Sequence, residues 1–351
     1  MHFLDDSLLP ENQEPLVIQV APYGPEFLPG DSDDIPVTMD EQIQKAVDCW
    51  NAGATVLHVH CREADGQGSK RLSMFNEMLA RLRAAVPEMV LQVGGSISFA
   101  PEGEGAAAKW LNDDTRHMLA DLKPAPDQVT IAINTNQMNV CELMSADDVA
   151  GTSLALPAYQ AAYSEMWIPS GPAFVDEHLK RLQAAGIQPH FMLGDVGQLE
   201  TVERLIRRGV YKGPLVLNYV MIGGGQDGPN PYNLIEFVRR TPDGAVLTIE
   251  AIMRTVLPMT TMAIAMGLHV RVGIEDNLWG RKGVRISSVR QVEQMVRISR
   301  ELHREVASGA DARRIYRIGE QYRTIDETLE KIGLPPNRRP RQTGAPLRVA
   351  A

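Results

Sequence analysis

Eight short β-branched runs separated by longer amphipathic segments constrain this chain more than any other feature. The runs cover residues 16–21, 55–61, 89–94, 128–134, 191–194, 215–221, 245–250 and 269–274. Helical periodicity fills the intervals at 38–50, 73–85, 174–185, 199–208, 232–239 and 255–266, with further helical character at 106–122 and a closing helix at 288–306. The first helix opens on Thr38 with acids in its first turn and stops at Gly53. Strands joined by helices must pair in parallel through right-handed crossovers. Eight such units close into a (β/α)₈ TIM barrel, an α/β fold. A doubly wound open sheet would need a Gly-rich fingerprint after the first strand, and Ala21-Pro22-Tyr23-Gly24-Pro25 is not one. The division expected is a tail over 1–14, the barrel over 15–306 and a C-terminal helical extension over 307–351. The basic run near Pro335 reads as a solvated or subunit-contacting segment, not an RNA-binding arm.

Composition narrows the function. The 351 residues carry a formal net charge of −9, which argues against a nucleic-acid partner. No apolar run approaches the roughly 20 residues that span a bilayer. The first residues are acidic, unlike a cationic signal peptide. Cys49, Cys61 and Cys141 fall at unrelated spacings and make no disulfide framework. A cytoplasmic enzyme is the expectation.

The second run ends in His58-Val59-His60. Residues two apart on a strand share a face, so both imidazoles can meet a divalent metal at the C-terminal mouth of the barrel. The eighth run ends in Glu275-Asp276, with Arg271 four residues before Glu275. Strands eight, one and two are neighbours around a barrel, so Glu275 can join the two histidines. Two imidazoles and one carboxylate leave an open coordination position, as catalytic metals require. These ligand types suit zinc and also accept nickel, cobalt or manganese. Asp276 and Arg271 are close enough in sequence to couple. Glu26 follows the first strand and belongs to the same mouth. The loop Gly223-Gly224-Gly225 could offer backbone amides to an anion, or serve as a lid or plain turn. Cys61 alternates away from His60 and reads as a small buried residue.

Four passages carry a likeness: VAPYGPE, GATVLHVHCREADGQG, GLHVRVGIEDNLW and RISRELHREVA. Over residues 17–318 the chain resembles the β-keto acid cleavage enzymes, the family that includes 3-keto-5-aminohexanoate cleavage enzyme. The resemblance implies a zinc-dependent barrel that condenses a β-keto acid with acetyl-CoA, giving acetoacetate and the CoA ester of the shortened acid. On that likeness His58, His60 and Glu275 match the zinc ligands, Arg271 and Asp276 the catalytic pair, and Glu26 a substrate contact. A homo-oligomer, tetramer or larger, is implied too. The family's Ser-Thr-Gly-Gly motif after strand three is replaced by Val93-Gly94-Gly95-Ser96, which makes Ser96 the candidate for its hydroxyl. An insertion, SFAPEGEGAAAKWLNDDTR, follows, so the middle of the pocket departs from the family while the metal end keeps its residues.

Three other readings use the same residues. An amidohydrolase-like hydrolase is also an HxH barrel, but wants that motif on strand one and histidines at the ends of strands five and six. Here His190 stands at the start of the fifth run, and the sixth carries Asn218 and Tyr219. A class II aldolase-like lyase keeps the metal without CoA. A non-catalytic barrel that binds a small acid keeps the metal alone, and has no use for Arg271 and Asp276.

Overall fold

The computed structural model describes residues 1–24, 27–95, 99–100, 109–110 and 116–340. Eight parallel strands close one barrel in chain order: β1 Ile18–Val20, β2 Val56–Val59, β3 Val90–Val93, β4 Gln128–Ala132, β5 Gln188–Leu193, β6 Val216–Met221, β7 Val246–Ala251 and β8 His269–Val272. Gln19 pairs with Arg271 on one side and Val56 on the other, which sets β8, β1 and β2 side by side. The principal helices are α1 Met39–Ala52, α2 Leu72–Ala85, α3 Pro172–Ala185, α4 Val196–Arg207, α5 Pro231–Arg240, α6 Val256–Ala265 and α7 Ser288–Glu301. Thr38 and Glu41 form a reciprocal capping box on α1, and Gly53 closes that helix at φ 117°.

Several boundaries differ from the sequence expectation, and two of the shifts have a physical reason. β5 begins three residues early, at Gln188, because Pro189 is accepted inside it opposite Val129. α7 stops at Glu301 instead of 306. His303 takes φ 57° and the chain turns so that Val306 bridges Leu16 beside β1. The expected helical stretch 106–122 is only partly described, and within it Lys109–Trp110 is not helical but a short strand paired antiparallel with Phe99–Ala100. Its described end is a 3₁₀ turn at Met118–Asp121.

Strand alternation gives the barrel an inner and an outer face. Leu57 and Val59 pack outward into the main core with Leu79 and Leu82 of α2. Val17, Val56, Val90, Val216 and Val246 form an inner floor, sealed by Ala312, Ile315 and Tyr316. The C-terminal segment thus plugs the end of the barrel opposite its mouth. Above the floor the interior is polar, where branched apolar layers are usual. Gln19 Nε2 donates to Gln92 Oε1 (2.9 Å), Gln92 Nε2 to Gln128 Oε1 (3.0 Å), and Gln128 Nε2 to Gln188 Oε1 (2.6 Å). Gln188 Nε2 then donates to the Tyr316 carbonyl (2.9 Å). An amide both donates and accepts, so each member of the file can bond the next, while Gln19 Oε1 at its start is buried without a partner.

Arg304, 2% exposed, ties the closing segment to the barrel's base. Its guanidinium donates to the carbonyls of Glu14, Ile264, Leu268 and Gly267. Arg304→Met is expected to remove the donors that this guanidinium supplies to those carbonyls and to destabilise the fold by roughly 2–4 kcal/mol. Chemical denaturation measures this directly. An unchanged midpoint would show that the clamp does not stabilise the chain.

The mouth is roofed by the chain between β4 and α3 and by the chain after β8. Asn136–Met138 pairs antiparallel with Met166–Ile168, and the helix Pro157–Ser164 lies in the same connection. These elements carry a second apolar cluster, which includes Phe27, Met138, Leu154, Ile168, Ile252 and Trp279.

Candidate active site

β2 delivers His58 and His60 to the inner face at the mouth, their ring centroids 4.6 Å apart. His58 Nδ1 lies 2.6 Å from Gln92 Oε1. That oxygen also accepts from Gln19, so it is the carbonyl end of the amide, and the imidazole proton must sit on Nδ1. The Nε2 lone pair is then turned toward the cavity. Burial pushes His58 down to about 4, which keeps the ring neutral and able to ligate. Gly94 makes room for both rings: a Cβ there would fall 2.2 Å from His60 Cε1 and 2.8 Å from His58 Nε2.

Glu275 reaches the same point from the loop after β8, anchored by its backbone N–H on the Ala21 carbonyl (3.1 Å). Its Oε1 is 3.3 Å from Nε2 of both histidines. Its Oε2, 3.2 Å from His60 Nε2, is buried and receives no hydrogen bond. Donor atoms around a tetrahedral zinc, each about 2.0–2.1 Å from the ion, stand about 3.3 Å apart. The spacing and the unsatisfied oxygen therefore fit a divalent metal. Burial opposes ionisation of Glu275, but His60, His58 and Arg271 together hold it well below the ordinary carboxylate range.

Arg271, on the inner face of β8, grips Asp276 with both prongs: Nε to Oδ2 at 2.9 Å and Nη2 to Oδ1 at 2.8 Å. The same Nη2 donates to Glu275 Oε1 at 2.7 Å. Burial pushes the Asp276 carboxyl up to about 6, against the pull of Arg271. A third acid completes the group. Glu250, at the mouth end of β7, lies 3.3 Å from Arg271 Nε and accepts from the Asn218 amide. Burial raises Glu250 to about 8. Sequence reasoning missed it. The available signal was an acid closing a barrel strand, which is where catalytic residues of this fold stand.

These side chains form one side of a cavity with about 1210 Å³ of empty space, open solvent at its mouth included. Met138, Leu154, Ile168, Val220 and Ile222 are among its other lining residues. Glu26 and Ser96 lie outside the described residues, while Phe27 and Gly95 line the cavity. The Gly-rich loop does not hold its amides open to a ligand. Gly224 N donates to Glu142 Oε2 (3.0 Å), Gly225 N to the Gln137 carbonyl (2.9 Å), and Gly223 N to the Asp227 carbonyl (3.2 Å). A Cβ on Gly224 would meet Asn139 N at 2.4 Å, so the glycines serve close packing. Cys61 is buried in the main core, away from the histidines' face. His190 sits on the inner face of β5 below the cavity, close to Gln92, and not at the strand's mouth end.

The model of the beta-keto acid cleavage enzyme family matches residues 15–318. The chain belongs to that family. A 3-keto-5-aminohexanoate cleavage enzyme from Acetoanaerobium sticklandii is 28% identical over 308 residues, which cover 88% of this chain and 100% of that protein. A 3-dehydrocarnitine:acetyl-CoA trimethylamine transferase from Rhizobium meliloti is 24% identical over 289 residues, 81% of this chain and 90% of that one. Among solved structures, ObcA in complex with oxaloacetate shares the barrel fold, with a TM-score of 0.59 at 13% identity over 82% of this chain and 68% of that chain. As a β-keto acid cleavage family member the chain is an enzyme. Among the described residues no helix is long and apolar enough to cross a membrane.

In this family member Gln92 stands behind His58 and sets its tautomer. Gln92→Leu is expected to weaken metal affinity by about 10–100-fold, the usual effect of removing a partner that orients a ligand. Titration of the metal-free protein with zinc measures it. Unchanged affinity would mean that His58 is oriented by packing alone.

Proposed function

We propose that this enzyme moves the acetyl group of acetyl-CoA onto the two-carbon acid end of a β-keto acid. Written in full, R–CO–CH₂–COO⁻ and CH₃–CO–SCoA become CH₃–CO–CH₂–COO⁻, acetoacetate, and R–CO–SCoA. The C2–C3 bond of the keto acid breaks, a C–C bond to the acetyl carbon forms, and CoA passes to the remaining acyl group. The observation that carries this reading is the meeting of two imidazoles and a carboxylate with a buried Arg–Asp fork at one barrel mouth.

A divalent metal held by His58, His60 and Glu275 would supply Lewis-acid polarisation of the keto oxygen. Zinc suits the donor set, and nickel, cobalt and manganese share it. Asp276 acts as the general base, aimed by both prongs of Arg271. Its carboxyl, raised by burial, titrates near neutrality, where a base is most effective. Glu250 shares the same guanidinium, and its burial favours the uncharged carboxyl beside Asp276. The roof over the mouth limits water, which would otherwise intercept the reacting carbons.

Glu26 and Ser96 are assigned as substrate contacts. Their support is the likeness of the surrounding motifs and the presence of Phe27 and Gly95 in the cavity wall. The enzyme is further read as a cytoplasmic homo-oligomer, tetramer or larger, and the exposed Tyr232 and Ile235 on α5 offer apolar surface for assembly.

The reaction is tested by supplying the zinc-loaded enzyme with acetyl-CoA and a panel of β-keto acids. Acetoacetate that appears only when both substrates are present supports the proposal. A metal-loaded enzyme that makes none from any panel member would leave the aldolase-like, hydrolase or non-catalytic reading.

A further inference from the structure

The proposed reaction leaves R undefined, and the far wall of the cavity bears on it. β7, β8 with the loop after it, and β2 carry the polar group, which includes Glu250, Arg271, Glu275 and the two histidines. The strands opposite present carbon. Val220 and Ile222 from the end of β6, Ile252 after β7, and Met138, Met166 and Ile168 from the roofing hairpin all line the same space. They pack on one another as a continuous apolar cluster.

Most of the described polar groups on that side are already engaged, Gln226 Oε1 being a buried acceptor without a hydrogen-bond partner. Arg116 lies over the Phe174 ring at 3.7 Å and donates to Ser170 Oγ and the Pro169 carbonyl. Asn136 accepts from Gln226, and Thr130 Oγ1 accepts from the Gly95 amide. His178 is neutral, since burial pushes it down to about 3. Among the described residues opposite the metal ligands, no carboxylate or lysine lines the cavity.

We infer that the β-keto acid accepted here carries an uncharged alkyl tail seated against this wall. The inference rests on the proposed reaction for its head group and on the wall for its tail. Among the described residues a cationic tail would meet no carboxylate on that side, and an anionic tail would meet Arg116 only in competition with its Ser170 and Pro169 contacts, so either would lose hydration at a cost. Each methylene of an alkyl tail gains about fourfold in binding when taken out of water. Met138 and Met166 are unbranched and adaptable, so tails of several lengths can fit.

The test compares kcat/KM for 3-oxohexanoate and 3-oxooctanoate with that for 3-oxoadipate and 3-keto-5-aminohexanoate, acetyl-CoA being held constant. The alkyl acids are expected to lead the charged ones by roughly 100-fold or more, with about fourfold gained per added methylene. A dicarboxylate or amino-tailed acid that equals or exceeds the alkyl acids would overturn the inference while leaving the reaction standing. If no acid yields acetoacetate, the reaction fails, and the wall is still tested by calorimetry with the unreactive 3-hydroxyoctanoate and 3-hydroxyadipate. Tighter binding of the first supports the alkyl site; equal or weaker binding rejects it. Val140→Arg, a change in the cavity lining away from the metal ligands, should cut the alkyl preference at least tenfold and favour 3-oxoadipate. If that variant does not fold, the wild-type panel decides.

Discussion

Asp276→Asn is expected to keep its metal and lose turnover by about 10²–10⁴-fold. Asparagine fills nearly the same volume but cannot take a proton, and it offers Arg271 one acceptor in place of two. The guanidinium remains held by Glu275 (2.7 Å) and Glu250 (3.3 Å), so the site's frame should persist. Metal analysis and steady-state kinetics on one preparation check both halves. KM is expected to change far less than kcat, because Asp276 acts on the reacting atoms and the apolar wall holds the tail. Full activity in Asp276→Asn would remove this residue from the mechanism.

His58→Ala is expected to lose the metal, and activity with it. The deletion leaves His60 and Glu275, two ligands in place of three, and too few to hold zinc against water. Gln92 Oε1 also loses the imidazole that donates to it. The fold should survive, because Leu57 and Val59 on the opposite face of β2 carry that strand's packing into the core. The readouts are zinc content and a circular dichroism spectrum. Wild-type zinc content in His58→Ala would contradict the assignment of this ligand; a lost spectrum would show that β2 depends on it for folding.

The barrel was legible because its signal is a count. Eight β-branched runs spaced by amphipathic segments admit few closures, and Thr38, Glu41 and Gly53 mark the ends of one helix in residue types alone. The candidate metal cluster was legible from His58 and His60 two apart at a strand end, and from Glu275 just after a strand that neighbours β2 through β1. Glu250 was not, since one acid closing an apolar strand looks the same whether it faces a cavity or solvent. What identifies it is the 3.3 Å approach of Arg271 from the next strand, a contact between distant residues. The glutamine file was hidden for a related reason. Gln19, Gln92, Gln128 and Gln188 are isolated polar residues on four different strands, and only barrel closure sets them in a row. Pro189 concealed the start of β5, because proline inside a run usually marks its edge. The Gly-rich loop left an anion site, a lid and a plain turn open in the sequence; its freedom is used to approach Asn139 and Gln137, and its amides are taken by the chain itself.

Isotope tracing tests the central claim most directly. Acetyl-CoA labelled at its carbonyl carbon is incubated with the zinc-loaded enzyme and unlabelled 3-oxooctanoate, and the products are read by mass and carbon NMR. Transfer of the acetyl group predicts label at C3 of acetoacetate, none in its carboxyl end, and an unlabelled six-carbon acyl-CoA. Unlabelled acetate and a free six-carbon acid, with acetyl-CoA unconsumed, would show that water cleaves the keto acid at this site and would contradict the account.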